Sequence, residues 1–256
     1  MKVSIITVTY NAEKFLAKTI ESILSQTISN YEYIIIDGAS KDDTCQIIKD
    51  YQTKISQGVY LSIKYDDFHF INEPDKGIYD AMNKGLSLAS GDFVWFINAG
   101  DKIYDKETLA LIVDKYTNTI SADIIYGQTL MVDEKDNVLG ERHKIAPPNL
   151  KFKDFLDGQL VCHQSILVNK ALAKDFDLKY RISSDYDWMC DALSKSKNNL
   201  YIDAYLSRFL TEGTSSKLRK KSWFERFYIM NRHFGIILTI FAHIKIILRY
   251  PFTKKY

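Results

Sequence analysis

The chain has 256 residues, of which 46% are apolar and 26% charged, and its formal net charge is +2. This composition is typical of a globular protein and excludes a disordered chain, and the length fits one large α/β domain with or without an appended segment. The three cysteines are scattered and lack metal-type spacing, so we expect reduced thiols of a cytoplasmic protein rather than a disulfide framework or a zinc site.

The first hundred residues alternate between predicted strands and helices. Short apolar runs rich in β-branched residues predict strands, and apolar residues at helical spacing predict helices. The predicted strands are Val3–Val8, Tyr33–Ile36, Phe68–Ile71 and Phe93–Ile97. Three helices are predicted in this part of the chain. The first contains Leu16, Ile20, Ile23 and Leu24, the second follows the polar turn Ser40–Thr44, and the third spans Ile78–Leu88. This alternation predicts βαβ units and a mostly parallel sheet, and we expect the first apolar run to be a strand because it lacks a signal-peptide cleavage pattern.

The second half of the sequence has a less regular pattern. A helix is predicted over Ser184–Leu193, with Ser184 or Asp185 as its N-cap. A short structured segment is predicted around Phe152–Leu156. The other predicted elements are strands over Asp123–Val132, Ser165–Val168 and Leu200–Leu210, a turn over Asp133–Asn137 and a loop at Pro147-Pro148.

Polar residues follow each of the first four predicted strands. They are Thr9–Asn11, Asp37-Gly38, Glu73–Asp75 and Asn98–Asp101. Open parallel sheets bind ligands beyond the carboxyl ends of their strands, so the sequence predicts a ligand site at this edge. The sequence has no GxGxxG after the first strand and no GxxxxGK[ST], which argues against a dinucleotide dehydrogenase and a P-loop enzyme.

Six segments occur in the order found in the family 2 inverting glycosyltransferases, which have the GT-A fold. They are VSIITVTYNAEKFLAKTIESILSQT, YIIIDGASKDDT, EPDKGIYDAMNKGLSLASGDFVWFINAGD, CHQS, ISSDYDW and EGTSS. The chain resembles this family from Val3 to about Ser216, and EPDKGIYDAMNKG resembles bacterial enzymes that build extracellular or cell-surface polysaccharide. The resemblance implies a GT-A-like α/β domain over residues 1–216. The domain would move a sugar from a nucleotide-diphosphate sugar to a hydroxyl of a glycan or lipid-linked glycan. The expected donor is a UDP-sugar.

The resemblance places the nucleoside in the loops after the first two strands. Thr9, Tyr10 and Asn11 would hold it, with the ring of Tyr10 against the pyrimidine face. Asp37 would accept the N3–H of uracil in a charge-assisted hydrogen bond. The alternatives are that Asn11 caps the first helix and that Asp37 only stabilises an Asp-Gly turn.

The next loop and the helix after it would border the diphosphate and the donor sugar. Gly77 permits close approach of the backbone, and Lys76 can neutralise phosphate. The alternative for Asn83 is that it is a solvated residue of the helix. The expected substrate contacts of this segment are Glu73, Asp75, Lys76, Asp80 and Asn83.

Asn98–Asp101 occupies the position of the family's DxD-type metal motif but contains a single carboxylate. Asp101 can hold Mg²⁺ or Mn²⁺ because the diphosphate and waters supply further oxygen ligands, and Asn98 would lie beside the donor. The alternative is that Asp101 stabilises a turn.

Ser184–Asp187 matches the family's acidic motif at a helix start, where an aspartate is the general base. Asp185 would therefore take the proton of the acceptor hydroxyl in a single displacement with inversion and without a covalent intermediate. Asp187 is the alternate base and a substrate-site candidate, although residues two apart on a helix do not share a face. His163, in Cys162–Ser165, would touch the acceptor or the diphosphate, or else be a satisfied structural residue.

Residues 217–256 are predicted to form a basic amphipathic helical tail. The tail has ten Lys or Arg residues and one acidic residue, a net charge of +9, against −7 for the rest of the chain. Its basic residues are interleaved with aromatic ones, and the apolar run Gly235–Ala242 is followed by His243 and Lys245. This pattern predicts a helix that lies on the anionic inner face of a membrane without spanning it, hence a cytoplasmic, peripheral location.

Several alternatives remain open at this level. The tail helices could instead pack on the domain or form a dimer contact. The basic tail could make the chain a nucleic-acid-binding protein, and the single carboxylate of the metal motif could mark a non-catalytic nucleotide-sugar-binding protein. The resemblance also implies that the loop Gly213–Ser216 closes over the donor phosphates, with Arg219 and Lys220 adding positive charge.

Overall fold

The structure is a computed structural model that describes residues 1–119, 121–211 and 219–249, without the side chains of 219, 220 and 249. The predicted loop Gly213–Ser216 and the charges of Lys217, Arg219 and Lys220 lie outside the described residues.

The described residues contain the predicted strands and helices in order, together with two strands and one helix that were not predicted. The strands are β1 (Val3–Thr9), β2 (Tyr31–Asp37), β3 (Phe68–Asn72), β4 (Phe93–Phe96), β5 (Lys102–Ile103), β6 (Ile124–Val132), β7 (Val138–Glu141), β8 (Ile166–Asn169) and β9 (Asn199–Leu210). The helices are α1 (Leu16–Leu24), α2 (Thr44–Ser56), α3 (Ile78–Leu88), α4 (Thr108–Thr117), α5 (Ser184–Lys195), α6 (Arg219–Phe234) and α7 (Ile236–Arg249). The elements that were not predicted are β5, α4 and β7. Short 3-10 helices span Tyr65–Asp67, Phe152–Asp157 and His163–Ser165.

These strands form one sheet in the order β3-β2-β1-β4-β8-β6-β9-β5, with β7 beside β6. Strands β3, β2, β1 and β4 are mutually parallel, and β6 is parallel to β9. Strand β8 is antiparallel to both β4 and β6. The predicted α/β fold with a mostly parallel sheet is confirmed, and each antiparallel pair includes at least one strand from the second half of the chain.

Helices cover both faces of the sheet, which explains why β1 and β2 are apolar along most of their length and buried throughout. On one face the core joins Leu16 of α1, Ile48 of α2 and Leu109 of α4 to the strands. On the other face it contains Met82 of α3, Trp188 of α5 and further residues of α6. The carboxyl edge of the sheet is left open between these layers.

Two predicted helix caps are wrong. Helix α1 begins at Leu16, several residues after Asn11, which adopts a left-handed φ of 48° in the preceding loop. Helix α5 begins at Ser184 with Ser183 as its N-cap, and no side-chain capping bond is formed there. The residues considered as caps, which are Asn11, Ser184 and Asp185, are instead engaged in other hydrogen bonds.

The first tail helix packs on the domain. Ile229 and Met230 of α6 are buried in the core that also contains Trp188. At the end of α6, the ring of Phe234 stacks on Phe152 with centroids 4.5 Å apart. The structure therefore supports packing for the inner face of this helix, which the sequence left as an alternative.

Among the helices in the described part of the chain, none combines the length and the apolar character needed to cross a bilayer.

A pair of isoleucine substitutions tests whether α6 belongs to the folded core. Ile229→Ala should lower the free energy of unfolding by about 2–5 kcal/mol, because it leaves a cavity at a fully buried position. Ile237→Ala, at a position that is 68% exposed on α7, should change it by less than about 0.5 kcal/mol. Denaturant unfolding measures both, and equal small effects would mean that α6 does not contribute to the core.

Candidate active site

The loops at the carboxyl edge of the sheet form the site. Strands β1, β2, β3 and β4 end at this edge because they are parallel. Strand β8 is antiparallel to β4, so it begins there, and the 3-10 turn His163–Ser165 lies beside the end of β4. The start of α5 contacts this turn through Asp185. Residues far apart in sequence therefore meet in one place.

Asp185 lies among three polar side chains that come from different segments of the chain. Its Oδ1 lies 3.2 Å from the hydroxyl of Tyr79, which shares its one hydrogen between this carboxylate and the carbonyl of Ile182 at 2.8 Å. Its Oδ2 accepts one from Nε2 of Gln159 at 3.0 Å and lies 3.4 Å from Nδ1 of His163. Only 13% of the side chain is exposed. The predicted general base is thus a largely buried group held by three side chains from different segments.

The surroundings of Asp185 keep it ionised. Burial opposes ionisation, but the hydrogen bond and charge of His163, the charge of Arg226 and the hydrogen bond of Gln159 together lower the pKa of Asp185 to about 2. Its place in the first turn of α5 also favours a negative charge, since helix N-termini carry partial positive charge. Asp185 can therefore accept a proton throughout the neutral pH range.

His163 connects the base to the metal-motif loop. Its Nε2 lies 3.2 Å from Nδ2 of Asn98, and its Nδ1 faces Asp185. In this arrangement Nδ1 of His163 carries a hydrogen and donates it to Asp185. The sequence left the role of His163 open, and the structure places it between two predicted site residues.

Helix α6 supports the start of α5. The carboxylate of Glu225 accepts hydrogen bonds from the backbone N–H groups of Arg181, Ile182 and Ser183 at 2.9–3.0 Å. The guanidinium of the next residue, Arg226, donates to Oε1 of Gln159 at 3.1 Å, and Gln159 in turn donates to Asp185. The tail segment thus holds the backbone just before the base and one of the side chains that binds it.

Asp187 is buried on the side of α5 that faces α6. It accepts a hydrogen bond from Nε2 of His233 at 2.8 Å and lies 3.3 Å from the guanidinium of Arg232 and 3.7 Å from Nζ of Lys174. The prediction that Asp187 binds substrate or replaces the base is contradicted by this placement. Its carboxylate is committed to a structural ion cluster that fastens α6 to α5.

Asp101 lies at the other end of the network. Its Oδ2 accepts a hydrogen bond from Nε2 of Gln164 at 2.7 Å, and its Oδ1 accepts one from the backbone N–H of Leu210 at 3.1 Å. Burial raises the pKa of Asp101 to about 6 although the bond from Gln164 acts against this. The turn before it needs a glycine, because Gly100 has a φ of 102°.

The side chains around Asp101 fit a divalent cation in ligand type but supply little charge. Hard cations prefer oxygen ligands, and two buried amide oxygens here lack a hydrogen-bond partner, Oδ1 of Asn98 and Oε1 of Gln164. Within the ranges that the structure describes, no cluster of three or more His, Cys, Asp or Glu residues could hold a metal. Among the described residues, Asp101 would therefore be the carboxylate ligand, and the substrate would supply further oxygens.

The two nucleoside loops are fastened to each other. Asn11 donates its N–H to Oγ of Ser40 and accepts a bond from the N–H of Lys41, each within 3.0 Å. Asp37 is fully buried and accepts bonds from the N–H and hydroxyl of Ser40. Its Oδ2 also accepts a bond from the thiol of Cys45 at 3.3 Å. Its turn role is thus observed, and contact with uracil would use the second lone pair of Oδ1. Thr9 is buried with its hydroxyl unpartnered.

Tyr10 lies in the same place with an exposed ring. The ring is 60% exposed, and a Cβ atom added to Gly38 would approach it and would collide with the carboxylate of Asp75. Tyr10, Gly38 and Asp75 are therefore neighbours, as expected for residues that border one ligand. The close approach also explains the glycine at position 38.

Contacts within the loop 73–80 account for most of the other predicted donor residues. Asp75 accepts the N–H of Gly77, Asp80 accepts the N–H of Lys76, and Glu73 pairs with Lys84 at 2.8 Å. These bonds fold the loop over the start of α3 without consuming all of the carboxylate oxygens. The side chain of Lys76 is exposed at this edge.

Asn83 does not fit its predicted role. Its Nδ2 donates to the carbonyl of Phe176 at 3.0 Å, and its Oδ1 accepts the N–H of Phe176 at 2.7 Å. The amide is therefore paired with one backbone segment, so it is neither a solvated helix residue nor a free substrate contact. We correct the prediction to a structural role that anchors α3.

Four contacts of the site were not predicted from the sequence. Tyr79 was passed over within the quoted motif EPDKGIYDAMNKG, and Gln164 within CHQS, although both contact a predicted acidic residue. Gln159 and Arg226 belong to no quoted motif, and they are 67 residues apart. Only the packing of α6 brings these last two together.

Comparison with known proteins identifies related sequences. A protein-family model described as Glycosyl transferase family 2 matches residues 4–176. A PGL/p-HBAD biosynthesis glycosyltransferase of Mycobacterium bovis (strain BCG / Pasteur 1173P2) is 28% identical over 188 residues, which cover 72% of this chain and 67% of that protein. An uncharacterized glycosyltransferase of Methanocaldococcus jannaschii is 27% identical over 241 residues, covering 90% of this chain and 79% of that protein.

Solved structures share the fold. TarS 1–349 of S. aureus superposes with a TM-score of 0.67 at 19% identity and covers 96% of this chain and 72% of that one. The mannosyltransferase PcManGT from Pyrobaculum calidifontis has a TM-score of 0.67 at 13% identity and covers 94% of this chain and 70% of that one. At such identities the likeness concerns the fold alone, and it confirms the predicted GT-A-like architecture.

The raised pKa of Asp101 predicts a pH dependence of stability in metal-free protein. Because this pKa lies near 6 rather than 3.8, the folded state keeps a proton that the unfolded state releases, so stability falls as pH rises through this window. Asp101→Asn removes the effect, and its free energy of unfolding should gain about 1–3 kcal/mol on wild type between pH 4 and 7.

Asp191→Asn is the matched control, because Lys195 and Lys174 hold the pKa of Asp191 below its ordinary value despite partial burial. The free energy of unfolding of Asp191→Asn should lie below that of wild type throughout pH 4 to 7, because the charge that stabilises wild type is already present at pH 4. A constant difference between Asp101→Asn and wild type from pH 4 to 7 would show that Asp101 is not buried as described.

Proposed function

The chain belongs to glycosyl transferase family 2, and we propose that it moves a sugar from a UDP-sugar to an acceptor hydroxyl with inversion, in cell-surface polysaccharide biosynthesis. The observation that carries this proposal is Asp185, a buried and ionised carboxylate at the carboxyl edge of the sheet. It lies at the start of a helix, and its partners are Tyr79, Gln159 and His163. A carboxylate in these surroundings can receive a proton from a bound hydroxyl.

In the proposed reaction the acceptor hydroxyl binds to Asp185 and attacks the anomeric carbon of the donor sugar. The carbon–oxygen bond to the nucleoside diphosphate breaks as the new glycosidic bond forms, and the hydroxyl proton passes to Asp185. A carboxylate with a pKa near 2 is a weak base in the ground state. The proton therefore transfers late, when the attacking oxygen has become acidic through bond formation.

Inversion is supported by the lack of a second reactive carboxylate next to Asp185. In the part of the chain that the structure describes, the hydrogen-bond partners of Asp185 are a tyrosine, a glutamine and a histidine. Asp187 is turned away and used by α6. A double displacement needs a nucleophile as well as an acid–base group, whereas a single displacement needs one base.

The choice of donor is supported by neighbours of the same fold. TarS has been solved in complex with UDP and with UDP-GlcNAc, and PcManGT in complex with GDP-Man and Mn²⁺. In this chain, Thr9, Tyr10, Asn11 and Asp37 would border the nucleoside. Glu73, Asp75, Lys76 and Asp80 would border the diphosphate and sugar. Tyr10 supplies an exposed aromatic face against which a pyrimidine can stack.

Asp101 would hold Mg²⁺ or Mn²⁺ together with the oxygens of Asn98 and Gln164. Such an ion neutralises the charge that develops on the departing diphosphate. The links from Gln164 to Asp101 and from His163 to Asp185 involve adjacent residues. The leaving-group side and the base side of the site would thus be kept at a fixed separation.

The tail would also place this site at a membrane. Helices α6 and α7 leave a set of large apolar side chains in solvent, which we call the α6–α7 apolar surface. It comprises Trp223, Phe224 and Tyr228 on α6 and Ile236, Ile237, Leu238, Ile240, Phe241, Ile244, Ile247 and Leu248 on α7. Exposed apolar patches of this kind mark contact surfaces for membranes or proteins. The net charge of +9 in residues 217–256 favours an anionic bilayer as the partner.

Two aspartate variants test the proposed base. Asp185→Asn should reduce turnover by roughly 10²-fold or more while nucleotide binding and folding are kept, because only the proton acceptor is lost. Asp187→Asn should lower the melting temperature but retain most of the turnover per folded molecule, since Asp187 binds His233 and Arg232. The measurements are steady-state transfer and thermal unfolding. Near-normal turnover of Asp185→Asn would rule out the assignment.

Liposome flotation tests the membrane proposal with exposed residues only. Wild type should float with anionic liposomes, and the double variant Ile237→Asp/Phe241→Asp should not, because it puts two negative charges on the α6–α7 apolar surface. The matched control is Val59→Asp/Leu61→Asp, which alters two exposed apolar residues before β3 and should float like wild type. If wild type stays unbound and light scattering shows a dimer that Ile237→Asp/Phe241→Asp dissociates, the surface is a subunit contact.

A further inference from the structure

Three basic side chains gather on one strap of chain beside the proposed base. The strap is residues 157–160, which follows the 3-10 turn Phe152–Asp157. Nζ of Lys144 donates to the carbonyl of Asp157 at 2.7 Å. The guanidinium of Arg142 donates to the carbonyls of Gln159 and Leu160 at 3.1 and 3.4 Å. Arg226 reaches the same strap from α6, through Oε1 of Gln159.

In the described part of the chain, carboxylates act on these charges at longer range, through the effect of Arg226 on Asp185 and of Asp157 on Lys144. Among the described residues, Arg142, Lys144 and Arg226 donate to carbonyl or amide oxygens and form no ion pair within 4.0 Å. Asp157 is nearby, but its carboxylate pairs with Lys245 of α7 at 2.6 Å. Nε of Arg226 is buried without a partner. The group therefore has a spare N–H donor and more positive charge than the carboxylates around it balance.

The pKa of Lys144 is lowered by burial and by this excess of positive charge. Burial and, after it, the charges of Arg226 and Arg142 lower the pKa of Lys144 to about 8. Gly158 makes room for the ammonium itself, since a Cβ atom there would collide with Nζ and the backbone has a φ of 89°. Holding three like charges together costs free energy that a bound anion would recover.

The position of the group says which anion it would meet. Gln159 binds Arg226 with one end of its amide and Asp185 with the other. An anion bound to the three basic residues would thus be separated from Asp185, and from the acceptor hydroxyl bound there, by the side chain of Gln159. On its far side, Asp157 joins the strap to α7 and hence to the α6–α7 apolar surface.

We infer that Arg142, Lys144 and Arg226 form a subsite for a phosphate or diphosphate group of the acceptor. This inference rests on the proposed function, because Asp185 marks the acceptor side only if it is the base. Two arginines and a lysine suit phosphate oxygens, which accept paired N–H bonds from guanidinium groups. An acceptor sugar carried on a diphosphate would then reach Asp185 from the side of the membrane-facing helices.

The donor diphosphate has the same chemistry, and competition separates the two sources. Inorganic pyrophosphate is titrated by calorimetry into metal-free full-length protein, with and without saturating UDP. An acceptor subsite predicts that pyrophosphate binds equally well in both cases. Loss of pyrophosphate binding when UDP is present would assign the three basic residues to the donor and overturn the inference.

Charge-removing variants locate the bound pyrophosphate. Arg142→Gln and Lys144→Gln should each weaken its binding at least 5-fold and leave the affinity for UDP within 2-fold of wild type. Lys153→Gln, which removes an exposed lysine from the neighbouring 3-10 turn, is the matched control and should change neither. Unchanged pyrophosphate affinity in both test variants would overturn the inference. Failure of UDP itself to bind would instead count against the proposed function.

Discussion

The negative charge of Asp185 has to be stabilised inside the protein, and much of the structure serves that requirement. An unpaired carboxylate that is removed from water costs several kcal/mol. Tyr79 from α3, Gln159 from the strap and His163 from the turn before β8 offset this cost with hydrogen bonds. Each of these residues depends on a different part of the sheet for its position. The base is therefore placed by the whole fold rather than by its own loop.

Helix α6 has two faces with different roles. Its inner face carries Glu225, Arg226 and the buried Ile229, which hold the start of α5, the strap and the core. Its outer face continues into the exposed apolar residues of α7. Removing the tail would therefore disturb the base as well as any membrane contact, so binding and catalysis can be separated only by substituting exposed residues. Helix α6 would thus affect both the position of the enzyme on a membrane and the geometry around Asp185.

The sequence was informative where physical patterns are local. The helix Ile78–Leu88 and the parallel strands were predicted because buried strands are continuous apolar runs and α3 is amphipathic. Strand β5 has two residues and was missed, as was α4, whose apolar residues are nearly contiguous. Asp185 and Asp101 followed from motifs, whereas Arg226 required knowing how α6 packs. Asn83 and Asp187 carry polar groups suited to ligands, but their partners come from distant segments, so only the structure could assign them structural roles.

Binding of a nucleoside diphosphate at the carboxyl edge of the sheet is the central claim, and a thermal-shift panel tests it most directly. UDP, GDP, CDP, ADP and TDP are each added to wild type with and without Mn²⁺. A ligand at 100 times its Kd stabilises the folded state by about 2.7 kcal/mol, which raises the Tm of a chain of this size by roughly 5–10 °C. The account predicts such a shift with UDP that is larger when Mn²⁺ is present. No shift with any nucleotide, with or without the metal, would contradict it.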